Sequence, residues 1–368
     1  MKKSKILFIL HRSPPPHGAA RVGDFISTSA KLSTTFECEF IKIQSSEKID
    51  DIGVVSLKKL YLAIRLFFEL LFALAIFRPD KVYFTASVRG TAFYRDLLLS
   101  ILWKLYRLFQ PADVFYHYHT KGIDSFVSSS KLHLILTRFF LKKVNIVLLS
   151  PLLKEDFRKA RVYQKVAFLS NGVKDSVSEG SFSENIDRKY DNLSQIQVLY
   201  LSQMTKEKGY DEVLNLARHT KNRNIHYQFA GAWQSLEDEE FFYGFVKKYA
   251  LEESVTYHGF VGGVEKDNLF KASHLLAYPS RNDAFPLTII ESLSYGVPVI
   301  ATNQGAIQLM LDVKCGIVVD HFADFLSGFE RSQLNLINRE TAHYCRNRFL
   351  REFTLERFEN NLIGVFND

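Results

Sequence analysis

The feature that most constrains the fold is an alternation of short β-rich runs and longer helical patterns, which occurs twice along the 368 residues. Strands that alternate with helices favour a parallel, doubly wound sheet with helices on both faces. A polar stretch, 175–193, separates the two series and has the composition of a linker. The sequence therefore predicts an α/β protein with two doubly wound (Rossmann-like) domains. The predicted strands are 5–11, 38–43, 81–85, 113–118, 145–149 and 164–169, then 197–201, 225–230, 255–258, 275–278, 297–301 and 317–319.

The two series also set the predicted domain boundaries. Residues 1–180 are expected to form the first domain and residues 181–345 the second, with a helix at 346–368 that packs back on the first domain. A domain typically has about 100–200 residues, so this length suits two separate cores. Ligands of doubly wound sheets bind beyond the carboxyl ends of the strands. We therefore expect the functional residues on the loops that follow strands, in a cleft between the domains.

Composition excludes several classes of protein. The 47% apolar and 24% charged content excludes intrinsic disorder. The three cysteines, Cys38, Cys315 and Cys345, are too few and too widely spaced for a disulfide framework or a cysteine-based zinc site, and they suggest a reducing compartment. The apolar run at 6–10 is too short for a signal peptide, and the charges within 57–77 argue against a membrane span. A cytoplasmic location is expected.

Charge is divided unevenly between the halves. Residues 1–180 carry a net charge of +13, whereas residues 181–368 carry −6. This asymmetry predicts different partners for the two domains. A basic half can meet nucleic acid, an anionic membrane or a phosphorylated substrate. No nucleic-acid recognition module occurs, so nucleic acid is not expected as a partner.

Three helical stretches in the basic half are apolar except for one narrow polar stripe each. Such helices are either core elements buried on more than one side, or elements that insert partly into a membrane surface with their cations at lipid phosphates. The residues alone leave both readings open. The stripes are Lys58, Arg65 and Glu69, then Ser100, Lys104 and Arg107, then Lys131, Arg138 and Lys142; the candidate membrane contacts are Lys58, Lys59, Lys104, Arg107, Lys142 and Lys143.

The segment 278–301 carries the most chemistry. A predicted strand ends there, a polar loop follows, and a helix opens near 284–287. The N–H groups of Phe285 and Leu287 at the helix N-terminus can bind an anion, and Pro286 suits the first turn because it needs no N–H there.

Two carboxylates flank this predicted anion site. Asp283 and Glu291 are eight residues apart, which predicts that they share one face of the helix. In that position they can grip the hydroxyls of a sugar nucleotide. The alternative is that Asp283 is only an N-cap and Glu291 a solvated helix residue.

This segment resembles the E-x7-E signature of GT-B glycosyltransferases, in particular the retaining family 4. Residues 198–209 resemble the family's G-R-x4-K-G segment, residues 225–232 its strand ending in glycine, His258-Gly-Phe260 its nucleobase loop, and 296–301 with Gly305 its helix–strand–loop ending. The resemblance covers most of 196–320. It implies that Lys208 holds the donor diphosphate, Glu291 the ribose and Asp283 the transferred sugar. The other implied donor-site residues are Gly18, Gln203, Gly231, Phe260, Phe285, Pro286 and Leu287.

The sequence departs from the family pattern at two site positions. Asp283 stands where the family has a longer glutamate, and Gln203 stands where it has an arginine on the diphosphate. Glutamine can hydrogen-bond phosphate but cannot neutralise it, so Lys208 is expected to supply more of the charge.

The first half resembles the family more loosely. The loop 14–20, with His17, resembles its first loop, and His119 at the end of the fourth predicted strand is the best match to a histidine that faces the transferred sugar. His117 alternates to the same side of the strand. Arg89 and Arg95 lie on a loop that resembles one in bacterial surface-polysaccharide members, where they can bind an acceptor phosphate. From the residues alone, a surface turn, structural histidines and a solvated loop remain open.

The resemblance implies a retaining, metal-independent transfer of a sugar from a nucleotide-diphosphate donor, a UDP-sugar in preference to a GDP-sugar. The implied catalytic residues are His119, Lys208, Asp283 and Glu291, and the implied acceptor residues are His17, Arg89, Arg95 and His117. A glycan or polyprenyl-diphosphate-linked acceptor implies work at the inner face of the cell membrane. No cofactor or metal is expected. The alternatives are a catalytically silent sugar-nucleotide-binding protein and an epimerase or phosphorylase of the same fold.

Overall fold

The computed structural model describes residues 3–14, 17–43, 57–191 and 193–367, without the side chains of 57–60 and 334. The chain forms two compact units. The first unit comprises Met1–Asn171 and Glu356–Asp368, and the second comprises Gly172–Leu355. The division at 171/172 lies nine residues before the boundary expected from the sequence.

Strands and helices alternate in each unit, as the sequence predicts, and all twelve predicted strands are present. The first unit contains β1 (Lys5–His11), α1 (Gly18–Thr28), α2 (Ala30–Thr35), β2 (Glu37–Ile43), α3 (Leu57–Ile76), β3 (Lys81–Ala86), α4 (Gly90–Tyr106), β4 (Asp113–Tyr118), α5 (Ile123–Ser129), α6 (Lys131–Leu141), β5 (Asn145–Leu148), a 3-10 helix at Pro151–Phe157 and β6 (Val166–Phe168). The second contains α7 (Glu179–Asp191), β7 (Ile196–Leu201), a 3-10 helix at Lys206–Lys208, α8 (Tyr210–His219), β8 (Ile225–Ala230), α9 (Leu236–Lys248), β9 (Val255–Tyr257), α10 (Gly263–Ala272), β10 (Leu275–Tyr278), α11 (Leu287–Ser294), β11 (Val299–Thr302), α12 (Ile307–Met310), β12 (Gly316–Val319), a 3-10 helix at Phe322–Asp324, α13 (Phe325–Leu336) and α14 (Arg339–Glu352). The last helix is α15 (Leu355–Asn367).

Both sheets are parallel and doubly wound, so the predicted fold class is confirmed. The strand order is β2-β1-β3-β4-β5-β6 in the first unit and β12-β11-β10-β7-β8-β9 in the second. The direction of winding reverses between β1 and β3 in one sheet and between β7 and β10 in the other. Ligands of such sheets bind beyond the carboxyl ends of the strands at this reversal. Each unit therefore offers one preferred ligand position.

Part of the predicted linker is a helix. Phe182 and Ile186 lie four residues apart on α7 and are both buried, so the helix packs on the second unit. Its charges also suit a helix, with Glu179 in the first turn and Arg188 and Lys189 in the last. The sequence did not predict this helix, because its apolar face consists of only two residues in an otherwise polar stretch.

The predicted C-terminal helix is broken at residue 354. Val173 forms backbone hydrogen bonds to the carbonyl of Phe353 (3.0 Å) and from the N–H of Leu355 (2.8 Å), and these bonds hold the chain extended at this point. The break leaves α14 in the second unit and lets α15 pack in the first.

The ring of Phe366 anchors α15 in the core of the first unit. It lies in edge-to-face contact with four aromatic rings, and its side chain is almost completely buried. The four contacts, at centroid distances of 5.4–5.8 Å, are with Phe8, Phe36, Tyr83 and Phe115.

The three apolar helices of the basic half are not buried on all sides. Leu66 and Leu70 of α3 are buried, but Phe68 and Phe72 of the same helix are exposed. Of the predicted polar stripe on α4, Ser100 is fully buried, whereas Lys104 and Arg107 are partly exposed. The reading of these elements as core helices is therefore wrong. None of the helices in the described part of the chain combines the length and apolarity needed to cross a membrane.

The anchoring of α15 gives a stability prediction. Phe366→Ala removes a buried aromatic side chain and should lower the free energy of unfolding of the first unit by about 3–5 kcal/mol. Urea denaturation followed by the fluorescence of Trp103, in a Trp233→Phe background, reports on this unit. Asn361→Ala, at an exposed position of the same helix, should change the free energy by less than about 0.5 kcal/mol. Equal effects of the two substitutions would contradict the anchoring role.

Candidate functional site

The loops after β7 and β10 meet at the reversal point of the second sheet. Arg281 holds these loops together. Its guanidinium binds the carboxylates of Asp211 (2.9 Å) and Glu212 (2.8 Å), and its backbone N–H donates to the carbonyl of Glu207 (2.8 Å). Asn282 adds a side-chain bond to Glu207 at 2.9 Å. These contacts fix the loop that carries Asp283 against the loop that carries Lys208.

Lys208 and Asp283 form an ion pair. Lys208 Nζ lies 2.9 Å from Asp283 Oδ2 and 3.0 Å from the carbonyl of Asn282, and both charged side chains are mostly buried. Asp283 Oδ2 also accepts hydrogen bonds from Tyr278 (2.9 Å) and Ser280 (2.7 Å). Burial and the neighbouring carboxylate raise the pKa of Tyr278 well above its usual value, so the phenol stays protonated and donates. The structure thus brings two of the predicted site residues into direct contact.

Two glycines allow the close approach of backbone segments here. Gly209 has φ = 82°, and a Cβ atom at this position would lie 2.0 Å from the carbonyl oxygen of Pro279. Gly231, a predicted donor-site residue, has φ = 151°, and its Cβ would lie 1.7 Å from the carbonyl oxygen of Ser202. A side chain at either position would force the loops apart.

Glu291 lies on α11 and pairs with a different cation. Lys266 of α10 binds Glu291 Oε1 at 2.7 Å, and only 9% of the Glu291 side chain is exposed. Glu291 is therefore not a solvated helix residue. Lys266 was not expected from the sequence, because nothing in the pattern of α10 marks it.

Asp283 does not lie on the same helix as Glu291. The first helical residue of α11 is Leu287, and Pro286 occupies the N-cap position. The prediction that the two carboxylates share a helix face is therefore wrong, and so is the alternative that Asp283 is the N-cap. Asp283 belongs to the preceding loop, where Tyr278 and Ser280 hold it.

The remaining predicted donor residues occupy different environments. Phe260 follows β9 and is 67% exposed, whereas Phe285, in the loop before α11, and Leu287, the first residue of α11, are buried. Gln203 is half-buried, and its carbonyl accepts a hydrogen bond from Tyr200 at 2.8 Å.

In the first unit, four histidines lie at the carboxyl ends of β1 and β4. The rings of His11 and His17 are 5.7 Å apart, and those of His117 and His119 are 4.0 Å apart. His117 Nδ1 is hydrogen-bonded to the hydroxyl of Tyr83. His117 has no exposed surface, so in this structure it supports the ring of His119 and does not present itself to a ligand.

His17 also begins α1, because its Nδ1 accepts a hydrogen bond from the N–H of Ala20 at 3.3 Å. Gly18 is the first residue of this helix and is exposed. Pro15 and Pro16 of the predicted first loop lie outside the described residues. The described part of the loop therefore places a helix N-terminus beside the histidines.

The histidines are held in the neutral form. Burial is the main cause in each case; it lowers the pKa of His119 to about 3 and, with the charge of Arg95, lowers the pKa of His11 well below its usual value. Burial and His119 have the same effect on the pKa of His117. Neutral imidazoles can both donate and accept hydrogen bonds near pH 7. Sequence reasoning missed His11, although it is the last residue of the first predicted strand and so reaches the carboxyl edge.

The two predicted acceptor arginines differ in their surroundings. Arg95 binds the fully buried carboxylate of Asp96 at 2.7 Å, and Asp96 in turn accepts the N–H of Ser87 at 2.8 Å. Arg89 precedes α4 and is exposed. Among the described residues, no group of three His, Cys, Asp or Glu side chains is placed to hold a metal ion.

Comparisons with known proteins agree with this fold. Residues 182–330 match the family model of glycosyl transferases group 1. The chain is 26% identical over 170 residues to an uncharacterized 41.2 kDa protein in the cps region of Klebsiella pneumoniae and, also at 26% over 170 residues, to the O-antigen biosynthesis glycosyltransferase WclY of Escherichia coli. Each match covers 45% of this chain, and the chain spans less than half of each relative (43% and 46%).

A solved structure matches over the whole length. It is that of HepE from Anabaena in complex with UDP and glucose, with 15% sequence identity, a TM-score of 0.68, and coverage of 99% of this chain and 100% of that one. At this identity the likeness concerns the fold alone. With its two six-stranded parallel sheets, the chain has the GT-B fold, and its residues 182–330 match the glycosyl transferases group 1 family model.

Proposed function

We propose that the protein is a glycosyltransferase that moves a sugar from a nucleotide-diphosphate donor to a glycan acceptor in bacterial surface polysaccharide biosynthesis. The observation that carries this proposal is the Lys208–Asp283 ion pair at the reversal point of the second sheet. It offers a cation for a diphosphate and a carboxylate for sugar hydroxyls where a ligand of this fold binds. The similarity to an O-antigen biosynthesis glycosyltransferase supports a role in polysaccharide biosynthesis.

Lys208 is the proposed cation of the donor diphosphate. An ammonium group has three donors. Within the described residues, Lys208 Nζ donates two hydrogen bonds, one to the Asp283 carboxylate and one to the carbonyl of Asn282. The third can bind a phosphate oxygen without breaking the loop contacts. Because Gln203 brings no charge, Lys208 carries more of the electrostatic stabilisation.

Asp283 is the proposed ligand of the transferred sugar, and Glu291 that of the ribose. Among the described residues, the hydrogen bonds that the Asp283 carboxylate accepts all end on Oδ2, which leaves Oδ1 for a sugar hydroxyl. Glu291 lies on α11 in its own ion pair with Lys266. The separate partners of the two carboxylates support separate roles.

The proposed reaction retains the configuration of the sugar and needs no metal ion. The acceptor hydroxyl attacks the anomeric carbon on the face from which the diphosphate leaves, and the departing phosphate oxygen takes the acceptor proton. Lys208 and the N–H groups at the start of α11 stabilise the charge that develops on the diphosphate. UDP-sugars are the preferred donors in this proposal.

The acceptor side of the proposal rests on the first unit. On the family resemblance we assign His119 to the transferred sugar and His17, Arg89 and Arg95 to a lipid-linked glycan acceptor, with its diphosphate on the arginines. His117 then acts as a positioning residue, since it is buried between Tyr83 and His119. A polyprenyl-diphosphate-linked acceptor would place the enzyme peripherally at the inner face of the cell membrane.

The function is tested by the coupling of donor and acceptor. UDP-, GDP-, ADP- and dTDP-sugars are first screened by thermal shift, because a ligand stabilises the native state according to its concentration and affinity. The stabilising donor is then incubated with lipid extract from bacterial membranes. We expect nucleoside diphosphate to be released only when the extract is present. Release without an acceptor, or binding without any release, would favour a hydrolytic, epimerase or silent binding role.

Lys208→Ala should weaken the binding of the nucleotide diphosphate about tenfold or more. The lost charge-assisted hydrogen bond costs about 1.5–3 kcal/mol. Isothermal titration calorimetry measures the change. Lys206→Ala is the matched control: Lys206 lies two residues away on the same 3-10 helix, but its ammonium group stacks on Phe241. An unchanged affinity in Lys208→Ala would remove the assignment of the diphosphate.

Glu291→Gln and Asp283→Asn should affect different steps, the first nucleotide binding and the second sugar transfer. Glu291→Gln should weaken the binding of bare UDP, because Glu291 is assigned to the ribose. Asp283→Asn should leave bare UDP binding within about twofold but slow the transfer. Calorimetry with UDP and a transfer assay under donor saturation measure the two effects. Similar UDP affinities for both variants would contradict the division of roles.

A further inference from the structure

The solvent-facing side of the first unit carries three stripes of large apolar side chains. In the described part of the chain, α3 packs against α4, and α4 packs against α6. Each helix buries one side and exposes apolar residues at helical spacing on the other, as Leu98, Ile101 and Leu105 do on α4. We call this surface the apolar face. Its exposed residues are Tyr61, Ile64, Phe68, Leu71, Phe72 and Ile76 of α3, Tyr94, Leu98, Ile101 and Leu105 of α4 with Leu108 and Phe109 after it, and Leu132, Ile135 and Phe139 of α6.

Such a surface is unusual for a protein that stays in water. Single exposed apolar residues are common, but contiguous apolar patches beyond a few hundred Å2 mark sites of interaction. Leu98 is 61% exposed, and Phe109 just beyond the same helix is 88% exposed. The apolar face therefore requires a partner that offers apolar surface.

Four cations gather beside one end of the apolar face. Lys104 Nζ donates to the carbonyl of Lys142 at 2.9 Å, and Arg107 donates to the carbonyl of Lys143. These bonds bring the C-terminal ends of α4 and α6 together with all four positive charges. We call Lys104, Arg107, Lys142 and Lys143 the cation cluster.

The cation cluster lacks a counter-charge. None of its four side chains forms an ion pair with a carboxylate in the described residues. Burial, and after it the charges of Arg107, Lys142 and Lys143, lower the pKa of Lys104 to about 8. The mutual repulsion of four cations favours an anionic partner.

We propose that the apolar face and the cation cluster together form a docking surface for an anionic lipid bilayer, with headgroup phosphates on the cluster and the apolar side chains among the upper acyl chains. This inference deepens the proposed function by naming the surface through which the enzyme reaches a lipid-linked acceptor, and in that sense it rests on that function. A bilayer supplies both chemistries at once. A second copy of the chain, paired through the same face, would instead add four more cations to the same interface.

The topology places the cation cluster away from the proposed acceptor residues. The C-terminal ends of α4 and α6 lead into the beginnings of β4 and β5, so the cluster lies at the amino edge of the sheet. His17 and His119 lie at the carboxyl edge, which is the opposite end of the strands. A six-residue strand such as β4 is about 20 Å long. Docking on the cluster therefore leaves the acceptor residues uncovered.

The test measures sedimentation of the full chain with vesicles of phosphatidylcholine alone or with added phosphatidylglycerol, at low and at high salt. We expect co-sedimentation only with the anionic vesicles at low salt and release at high salt. Each cation near an anionic leaflet strengthens binding severalfold, so Lys142→Glu/Lys143→Glu should weaken it at least about tenfold. The control variant Lys154→Glu/Lys174→Glu makes the same charge change at exposed positions outside the cation cluster. Its vesicle binding should be closer to that of the wild type than to that of Lys142→Glu/Lys143→Glu.

A second pair of variants tests the apolar face. Leu98→Ser/Leu105→Ser should also weaken vesicle binding severalfold, because burial of each leucine contributes to membrane affinity. Leu236→Ser/Val313→Ser, at exposed apolar positions of the second unit, should not. Lys58 and Lys59, the other candidate contacts, have side chains outside the described part of the structure and are left unchanged.

The outcomes separate this inference from the proposed function. A wild type that ignores anionic vesicles at low salt, cluster and control variants that bind equally, or a dimer broken by Leu98→Ser/Leu105→Ser in sedimentation velocity without lipid would each overturn the docking surface. UDP binding is measured on each of the vesicle-binding variants and their controls and should be unchanged, since none of the substituted residues is assigned to the donor. Loss of UDP binding in Lys208→Ala with vesicle binding intact supports both proposals independently. A wild type that binds vesicles but no nucleotide would overturn the proposed function and leave the docking surface standing.

Discussion

The proposed donor site is organised around one ion pair, between Lys208 and Asp283. It forms because β7 and β10 are neighbours at the point where the second sheet reverses its winding, so two loops that are 75 residues apart in sequence meet. Arg281 locks the loops together, and Gly209 lets their backbones approach. Tyr278 and Ser280 then fix the carboxylate while Lys208 keeps one donor for a ligand. Charge, loop packing and sheet topology thus all act to hold Lys208 Nζ and the Asp283 carboxylate in contact.

Much of the fold follows from local patterns in the sequence. The central strands are continuous apolar runs, as strands buried on both faces must be, and β1 is the clearest case. The sequence-based predictions are wrong where a tertiary contact determines the local structure. The backbone bonds of Val173 break the predicted C-terminal helix, and the burial of Phe182 and Ile186 makes a helix out of a polar stretch. Neither contact can be read from the neighbouring residues.

Only part of the site could be predicted, because tertiary contacts also determine the partners of its residues. Lys208, Asp283 and Glu291 were found by resemblance to a family, but their partners were not. Lys266 and Tyr278 bind the carboxylates from other elements, and no spacing rule links them. On α4, periodicity identified one polar stripe, Ser100, Lys104 and Arg107, but did not predict that Ser100 is buried. Ser100 is buried on the same helix as Leu99 and Trp103, whereas Leu98 is exposed, a division that packing against the sheet and the neighbouring helices determines.

We propose that the ion pair between Lys208 and Asp283 marks the binding site of a nucleotide-diphosphate sugar. A crystal structure of the full chain grown with a UDP-sugar tests it most directly. We expect a diphosphate oxygen within hydrogen-bond distance of Lys208 Nζ, with the ribose on Glu291 and the sugar on Asp283. A nucleotide bound elsewhere, with the Lys208–Asp283 pair untouched by ligand, would contradict it.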